Sequence, residues 1–193
     1  MVRTFALAIL LFFGLCSMSF QSASHYSGID PSIDTIQWRE GYVFHASDFK
    51  GVPDRASPHV AISTTGINYY LLYNAGKFAG FKAEAVFYRH ESWLKKELIE
   101  NLSYTLKHEL GHFIITEIYA LKLESELYKF RQDTTNRDVD IQNVYDAIIA
   151  SHHAMQQQYD SETGNSTNSG KQREWNKTIR LVLSTQMAFA QRQ

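Results

Sequence analysis

Two hydrophobic periods divide the chain. In the N-terminal half, apolar and β-branched residues alternate with polar ones, as in IDTIQWREGYVF (33–44), HVAISTTGINYYLLYN (59–74) and KFAGFKAEAVFYRHESW (77–93). This period of two predicts strands. The interruptions at Gly66, Gly76 and Gly80, and the turn-rich SDFKGVPDRASPH with Pro53 and Pro58, predict a small antiparallel sheet. From about Leu94 the spacing changes to three and four: Leu102, Leu106, Leu110, Phe113, Ile114, Ile118, Leu121, Leu127 and Phe130 predict one long helix running on to Arg131. A second helix is expected over 139–159. A third is expected over 172–190, with Trp175, Ile179, Val182, Leu183 and Met187 as its buried stripe. The polar run DSETGNSTNSGK (160–171) should connect them. Strands first and helices afterwards give an α+β fold: a small N-terminal antiparallel sheet packed against one central helix and two further helices.

Composition narrows this picture. A chain of 193 residues that is 44% hydrophobic and 20% charged suits one domain with its own core. With 19 basic and 20 acidic side chains there is no global attraction to phosphate backbones, so nucleic acid is not an expected partner. The beginning, MVRTFALAILLFFGLCSMSFQSAS, places Arg3 before an apolar run from Phe5 to Leu15 and then small residues. That is the layout of an export signal, too short to span a bilayer comfortably. It sets the expected division into a signal peptide over 1–22 and one domain over 23–193, with no other membrane segment and a periplasmic or secreted destination. Cys16 invites a lipid anchor, but Leu15 stands where a small residue is normally needed. Removal of the signal would leave no cysteine and hence no disulfide.

Candidate chemistry enters at KHELGHFIITEIYA (107–120), which contains His-Glu-Leu-Gly-His. On a helix, His108 and His112 lie about 40° apart and one turn from each other, so both rings can reach one cation. Glu109 sits beside them and can take a proton from water at that cation, the division of labour in zinc-dependent hydrolysis. Gly111 needs an explanation, because glycine inside a helix costs about 1 kcal/mol relative to alanine. Close approach of a neighbouring backbone would provide one. Five residues can match a motif by chance, so the weight rests on its position in a strongly periodic helix after a strand-rich segment.

HELGHFIITEIYA, the preceding ESWLKKE, and the later YDSET and QREW resemble the bacterial family called domain of unknown function 922, regarded as zincin-like metallopeptidases. The similarity is read from Trp38 through Trp175 and includes DFKG at 48–51. The resemblance implies a sheet packed on an active-site helix, one bound zinc ion, and a peptide or protein substrate. It also implies a histidine shortly after the Tyr-Asp-x-Glu-Thr segment, and the corresponding position here is Asn165.

A catalytic zinc needs a third protein ligand. Glu117 is close in sequence, but five residues beyond His112 it lies about 140° round the helix and points away; it could orient a ligand, hold a neighbouring element or be solvated. Glu126 returns to the correct face about 21 Å too far along. The remaining candidates are His152, His153, Asp160 and Glu162. The histidines read as surface residues of the second helix. Asp160 and Glu162 lie at the expected end of that helix, where a carboxylate can enter an open site, and both keep the Tyr-Asp-x-Glu-Thr pattern of the resembling family; Asp160 is favoured, with Glu162 as the alternative. Tyr159 could donate to an oxyanion or simply fill the core. The strand GFKAEAVFYRH could pair with an extended substrate, or be an interior strand. The expected function is therefore that of an exported zinc metallopeptidase with Glu109 as general base. The alternatives are a catalytically impaired relative serving as a cell-envelope binding module, or a structural domain with a coincidental motif.

Overall fold

Ala75 and Gly76 form the two-residue turn of a long hairpin, both with positive φ (49° and 76°), a geometry that glycine adopts without penalty. In the computed structural model, which describes residues 24–25, 34–129 and 137–190, this hairpin joins β4 (Thr65–Asn74) to β5 (Lys77–Tyr88). Two short strands complete the sheet: β1 (Ser24–His25) beside β4 and β2 (Thr35–Gln37) beside β5, giving the antiparallel order β1-β4-β5-β2. A separate antiparallel pair consists of β3 (Ala61–Ile62) and β6 (Trp93–Leu94). Three helices follow: α1 (Leu102–Tyr128), α2 (Arg137–Thr163) and α3 (Ser169–Ala190). The α+β class, the small antiparallel sheet and the three helices agree with the sequence reading. The apolar N-terminal run, Cys16 and the expected helix end at Phe130–Arg131 lie outside the described residues.

Several boundaries differ for local physical reasons. The IDTIQWREGYVF segment pairs only over Thr35–Gln37, and a turn closed by Tyr42 N–H to the Arg39 carbonyl (3.1 Å) then takes the chain out of the ladder. The first helix starts at Leu102, where the Asn101 side chain accepts from Tyr104 N–H (3.0 Å) and caps it. The apolar residues before it belong to β6 and to a 3₁₀ turn at Lys96–Leu98. The second helix does not stop at Tyr159. Its last turn is closed by Thr163 Oγ1 donating to the Tyr159 carbonyl (2.6 Å), and Asn165 N–H donates to the Asp160 carbonyl (2.9 Å) in a left-handed stop at Gly164 to Ser166. The third helix begins earlier than expected, at Ser169, where Asn168 Oδ1 accepts from Lys171 N–H (3.1 Å).

α1 is the axis of the molecule. It is not a one-sided amphipathic helix: every residue from Leu110 to Ala120 is buried except His112, which is nearly so. The sheet covers one side and α2 and α3 cover the other. On the sheet side, Ile67, Tyr69, Phe81, Ala83, Ala85 and Phe87 point inward at the alternation of two, and the aromatic rings of Phe44, Phe49, Phe87 and Phe113 pack edge and face at 4.4–6.0 Å. On the helix side, Trp175, Ile179 and Leu183 form the buried stripe expected of α3, with Val182 and Met187 partly buried beside it.

Two carboxylates tie α1 to the sheet. Glu117 Oε2 accepts from Ala85 N–H (3.1 Å) and Glu124 Oε2 from Ala83 N–H (2.8 Å), taking over the ladder donors of β5 beyond the end of β2. Glu117 therefore holds a neighbouring element and faces away from the histidines, as its helical position requires. The same contacts correct the idea that β5 pairs with a substrate: β4 occupies one edge, and β2 with the two glutamates occupies these donors on the other. These glutamates line a cavity of about 450 Å³ with Trp38, Phe81 and Leu121. The cavity is on the sheet side of α1.

Burial pushes the Glu117 carboxyl up from 4.5 to about 7, against the lowering effect of the Ala85 N–H. An acid whose folded pKa is raised contributes stability that is complete below its unfolded value and is lost as pH rises through the folded one. Glu117→Gln keeps an acceptor for Ala85 but does not titrate. Its stability relative to wild type should rise by up to about 3 kcal/mol between pH 5 and pH 8 in urea unfolding, and a difference that stays flat would contradict this burial. At Gly111, an ideal Cβ would stand 2.6 Å from Tyr159 Cζ. The glycine is thus required by a side chain from α2 and not by a neighbouring backbone. Gly111→Ala should cost about 2–3 kcal/mol in thermal or chemical unfolding, where an unobstructed helix would gain up to about 1 kcal/mol.

Candidate metal centre

The spacing of four along α1 sets His108 and His112 one above the other, with ring centroids 5.0 Å apart and Nε2 atoms 3.3 Å apart. Asp160, in the last turn of α2, brings Oδ1 to 3.3 Å from His108 Nε2 and 3.0 Å from His112 Nε2. Bonds of about 2.0–2.1 Å to one tetrahedral ion require ligand atoms about 3.3 Å apart, so these three separations are those of three corners of such a site. Among the described residues, His108, His112 and Asp160 are the group of histidines and carboxylates with this convergence. The donor set, two imidazoles and one carboxylate, fits zinc in a site with an open position. His108 is deeply buried, whereas 38% of the Asp160 side chain is exposed, so the centre opens on the Asp160 side.

Tyr159 supports this arrangement. Fully buried, it stacks on the His108 ring (4.8 Å, 13°), meets the His112 ring edge-on (4.9 Å) and packs against Trp175 (5.4 Å). Its hydroxyl donates to the His108 backbone carbonyl (3.0 Å). It is a core residue, and burial pushes its phenol well above the ordinary range. Because Asp160 follows it directly in the chain, the packing of Tyr159 on Gly111 delivers the carboxylate to the histidines.

Electrostatics agree with the geometry. Burial alone would raise the Asp160 carboxyl, but hydrogen bonding and charge from His108 and His112 outweigh it and hold the group well below the usual carboxylate range. Burial works to lower the His112 imidazole, and Asp160, Glu109 and Gln156 together outweigh it and raise it. Glu109 is buried beside His108, and its Oε2 accepts from Ser63 Oγ (2.7 Å), which lies between β3 and β4. The sheet thus fixes the orientation of this carboxylate.

The other candidates are placed elsewhere. Glu162 accepts from Gln158 Nε2 (2.8 Å) and Trp175 Nε1 (2.9 Å), away from the histidines, because one residue's offset from the helix face of Ser161 and two from Asp160 turn it toward α3. His153 is exposed. His152, expected at the surface, is instead buried at 5% exposure, with Nε2 close to Thr116 Oγ1 (3.0 Å) and Gln156 Nε2 (2.9 Å). Burial, followed by the neighbouring His153 and His112, pushes it down to about 4. Asn165 lies in the left-handed turn after α2, where it closes the helix.

Two residues escaped the sequence reading. Gln172 Oε1 lies 2.8 Å from His108 Nδ1, and Gln156 Oε1 lies 2.6 Å from His112 Nδ1. The available signals were the position of Gln156 one helical turn before Asp160, and the place of Gln172 at the start of QREW. Neutral amides draw no attention in a search for ligands, since neither would bind the ion.

No curated protein and no solved structure matches the chain. The match to a family begins at residue 91, so the early segment from Trp38 with its DFKG lies outside it; there Asp48 accepts from Tyr42 Oη (2.9 Å) and His45 N–H (2.8 Å) and clasps a loop. Residues 91–180, which contain both histidines, Glu109, Asp160 and Gln172, match the family model described as Bacterial protein of unknown function (DUF922).

Proposed function

We propose that the protein is an exported, zincin-like, zinc-dependent hydrolase acting on peptide bonds. The observation that carries this reading is the spacing of His108 Nε2, His112 Nε2 and Asp160 Oδ1, 3.0–3.3 Å from one another, with Glu109 next to His108 on the same helix. Two imidazoles and a carboxylate would hold one zinc ion and leave a position open for water and substrate. When bound, the ion supplies Lewis acidity and lowers the pKa of water at that position.

Within this reading each residue has a task. Ser63 holds Oε2 of Glu109, which leaves Oε1 to take a proton from water and pass it to the departing amine. Tyr159 locks the His108 ring and the end of α2 in place and has no proton to spare for an oxyanion, because its hydroxyl donates to the His108 carbonyl. Peptide bonds are chosen as the substrate class because of the family resemblance and the His-Glu-x-x-His order. Export is inferred from Arg3 and the apolar run that follows it.

The expected outcome is about one zinc per chain in protein purified without chelator, with loss of the ion in His112→Ala and Asp160→Ala and its retention in Glu162→Ala and Glu117→Gln. Glu109→Gln should keep the zinc while hydrolysis of a mixed peptide library falls by about 10²–10⁴-fold. Equal turnover by wild type and Glu109→Gln would remove the proposed base. Zinc uptake without any hydrolysis by the wild type would favour a binding module over an enzyme.

A further inference from the structure

Carbonyl oxygens only accept hydrogen bonds, and this fixes the hydrogen positions around both rings. The His108 carbonyl receives the Tyr159 hydroxyl, so the Tyr159 oxygen accepts from Gln172 Nε2 (2.5 Å). That orients the amide: its nitrogen faces Tyr159 and Asn176 Oδ1 (3.0 Å), and its oxygen faces His108 Nδ1. At the second ring, Gln156 Nε2 donates to the His112 carbonyl (3.0 Å), which turns its oxygen to His112 Nδ1. An amide oxygen cannot donate, so Nδ1 carries hydrogen in both histidines, and in the neutral form of each ring the Nε2 lone pair faces the other ring and Asp160. Each histidine's own backbone carbonyl thereby sets the tautomer of its ring through one glutamine.

We propose that Gln156 and Gln172 are positioning residues that preset both imidazoles, Nε2 outward, for a divalent transition-metal ion; the proposal rests on the metal reading above. Metal-bound histidines generally hold their second nitrogen against a carboxylate, a carbonyl or water, and here two side-chain amides take that part. An amide orients the ring without adding negative charge to a centre that already contains Asp160 and Glu109. Around Gln156 the network extends further. His152 Nε2 lies 2.9 Å from the Gln156 amide nitrogen and accepts from it, and Thr116 Oγ1, which donates to the His112 carbonyl (2.9 Å), lies 3.2 Å from the same nitrogen. These contacts hold the amide the same way round. With its Nε2 an acceptor, neutral His152 carries its hydrogen on Nδ1, a buried atom with no hydrogen-bond partner among the described residues. That unmet donor is the cost of keeping Gln156 in register.

The test is zinc affinity measured by competition with a chromophoric chelator, alongside melting of the metal-free proteins. Gln156→Met and Gln172→Met keep side-chain volume and remove the acceptor. Each should weaken zinc binding by about 10- to 100-fold, and Gln156→Glu and Gln172→Glu, which keep an acceptor for the ring, should restore most of it. Methionine variants that melt earlier but bind zinc as tightly as wild type would overturn the proposal, since a purely structural role predicts that pattern. If the wild type takes up no zinc, the metal reading fails, and nitrogen-resolved NMR of the histidine rings at about pH 9 decides the positioning role alone. Both rings should then show the Nδ1–H tautomer in wild type and a mixture in the methionine variants; an Nε2–H tautomer in wild type would overturn the assignment.

Discussion

The contact between Tyr159 and Gly111 is the constraint on which the centre depends. A side chain at position 111 would occupy the space of the phenol, so only glycine lets α2 approach α1 this closely. The contact sets three things together. It stacks the phenol on His108, supplies the hydroxyl that orients Gln172, and places the next residue, Asp160, against both histidines. The glycine of His-Glu-Leu-Gly-His therefore contributes to the site as directly as the three candidate ligands do. Its intrinsic cost to the helix is offset by the packing it permits.

α1 serves two different neighbours. Toward the sheet it offers carboxylates, Glu117 and Glu124, which occupy backbone donors of β5 that no strand covers, and Glu109, which takes the Ser63 hydroxyl. Toward α2 and α3 it offers imidazoles, and those helices answer with one carboxylate and two amides. A helix buried on all sides must satisfy its polar groups internally, and nearly all of these are satisfied here. Rigidity follows from this, because each ring is held by the Tyr159 ring, face-on at His108 and edge-on at His112, by an amide on one nitrogen and by a carboxylate near the other.

Much of this was legible in the sequence. The change of period near Leu94 separates the sheet from the helices, helical spacing alone turns Glu117 away from His112, and the place of Asp160 in YDSET makes it the favoured partner. The boundaries were less so. The apolar residues of Trp93 and Leu94 fit a helical pattern as well as a strand, and the stop of α2 depends on the left-handed turn at Gly164–Ser166, which a polar run does not announce. Burial of His152 and the orientation of both glutamines follow from the packing of three helices. No local spacing encodes that, although YDSET and QREW were singled out, and between them they hold Tyr159, Asp160 and Gln172.

We propose His108, His112 and Asp160 as one three-ligand metal centre. X-ray absorption at the zinc edge of the loaded wild-type protein tests it most directly. Expected is a first shell of nitrogen and oxygen at about 2.0–2.2 Å with the outer-shell scattering of two imidazoles, and loss of that zinc signal in His112→Ala. A shell with no imidazole scattering, or one unchanged by that substitution, would contradict it.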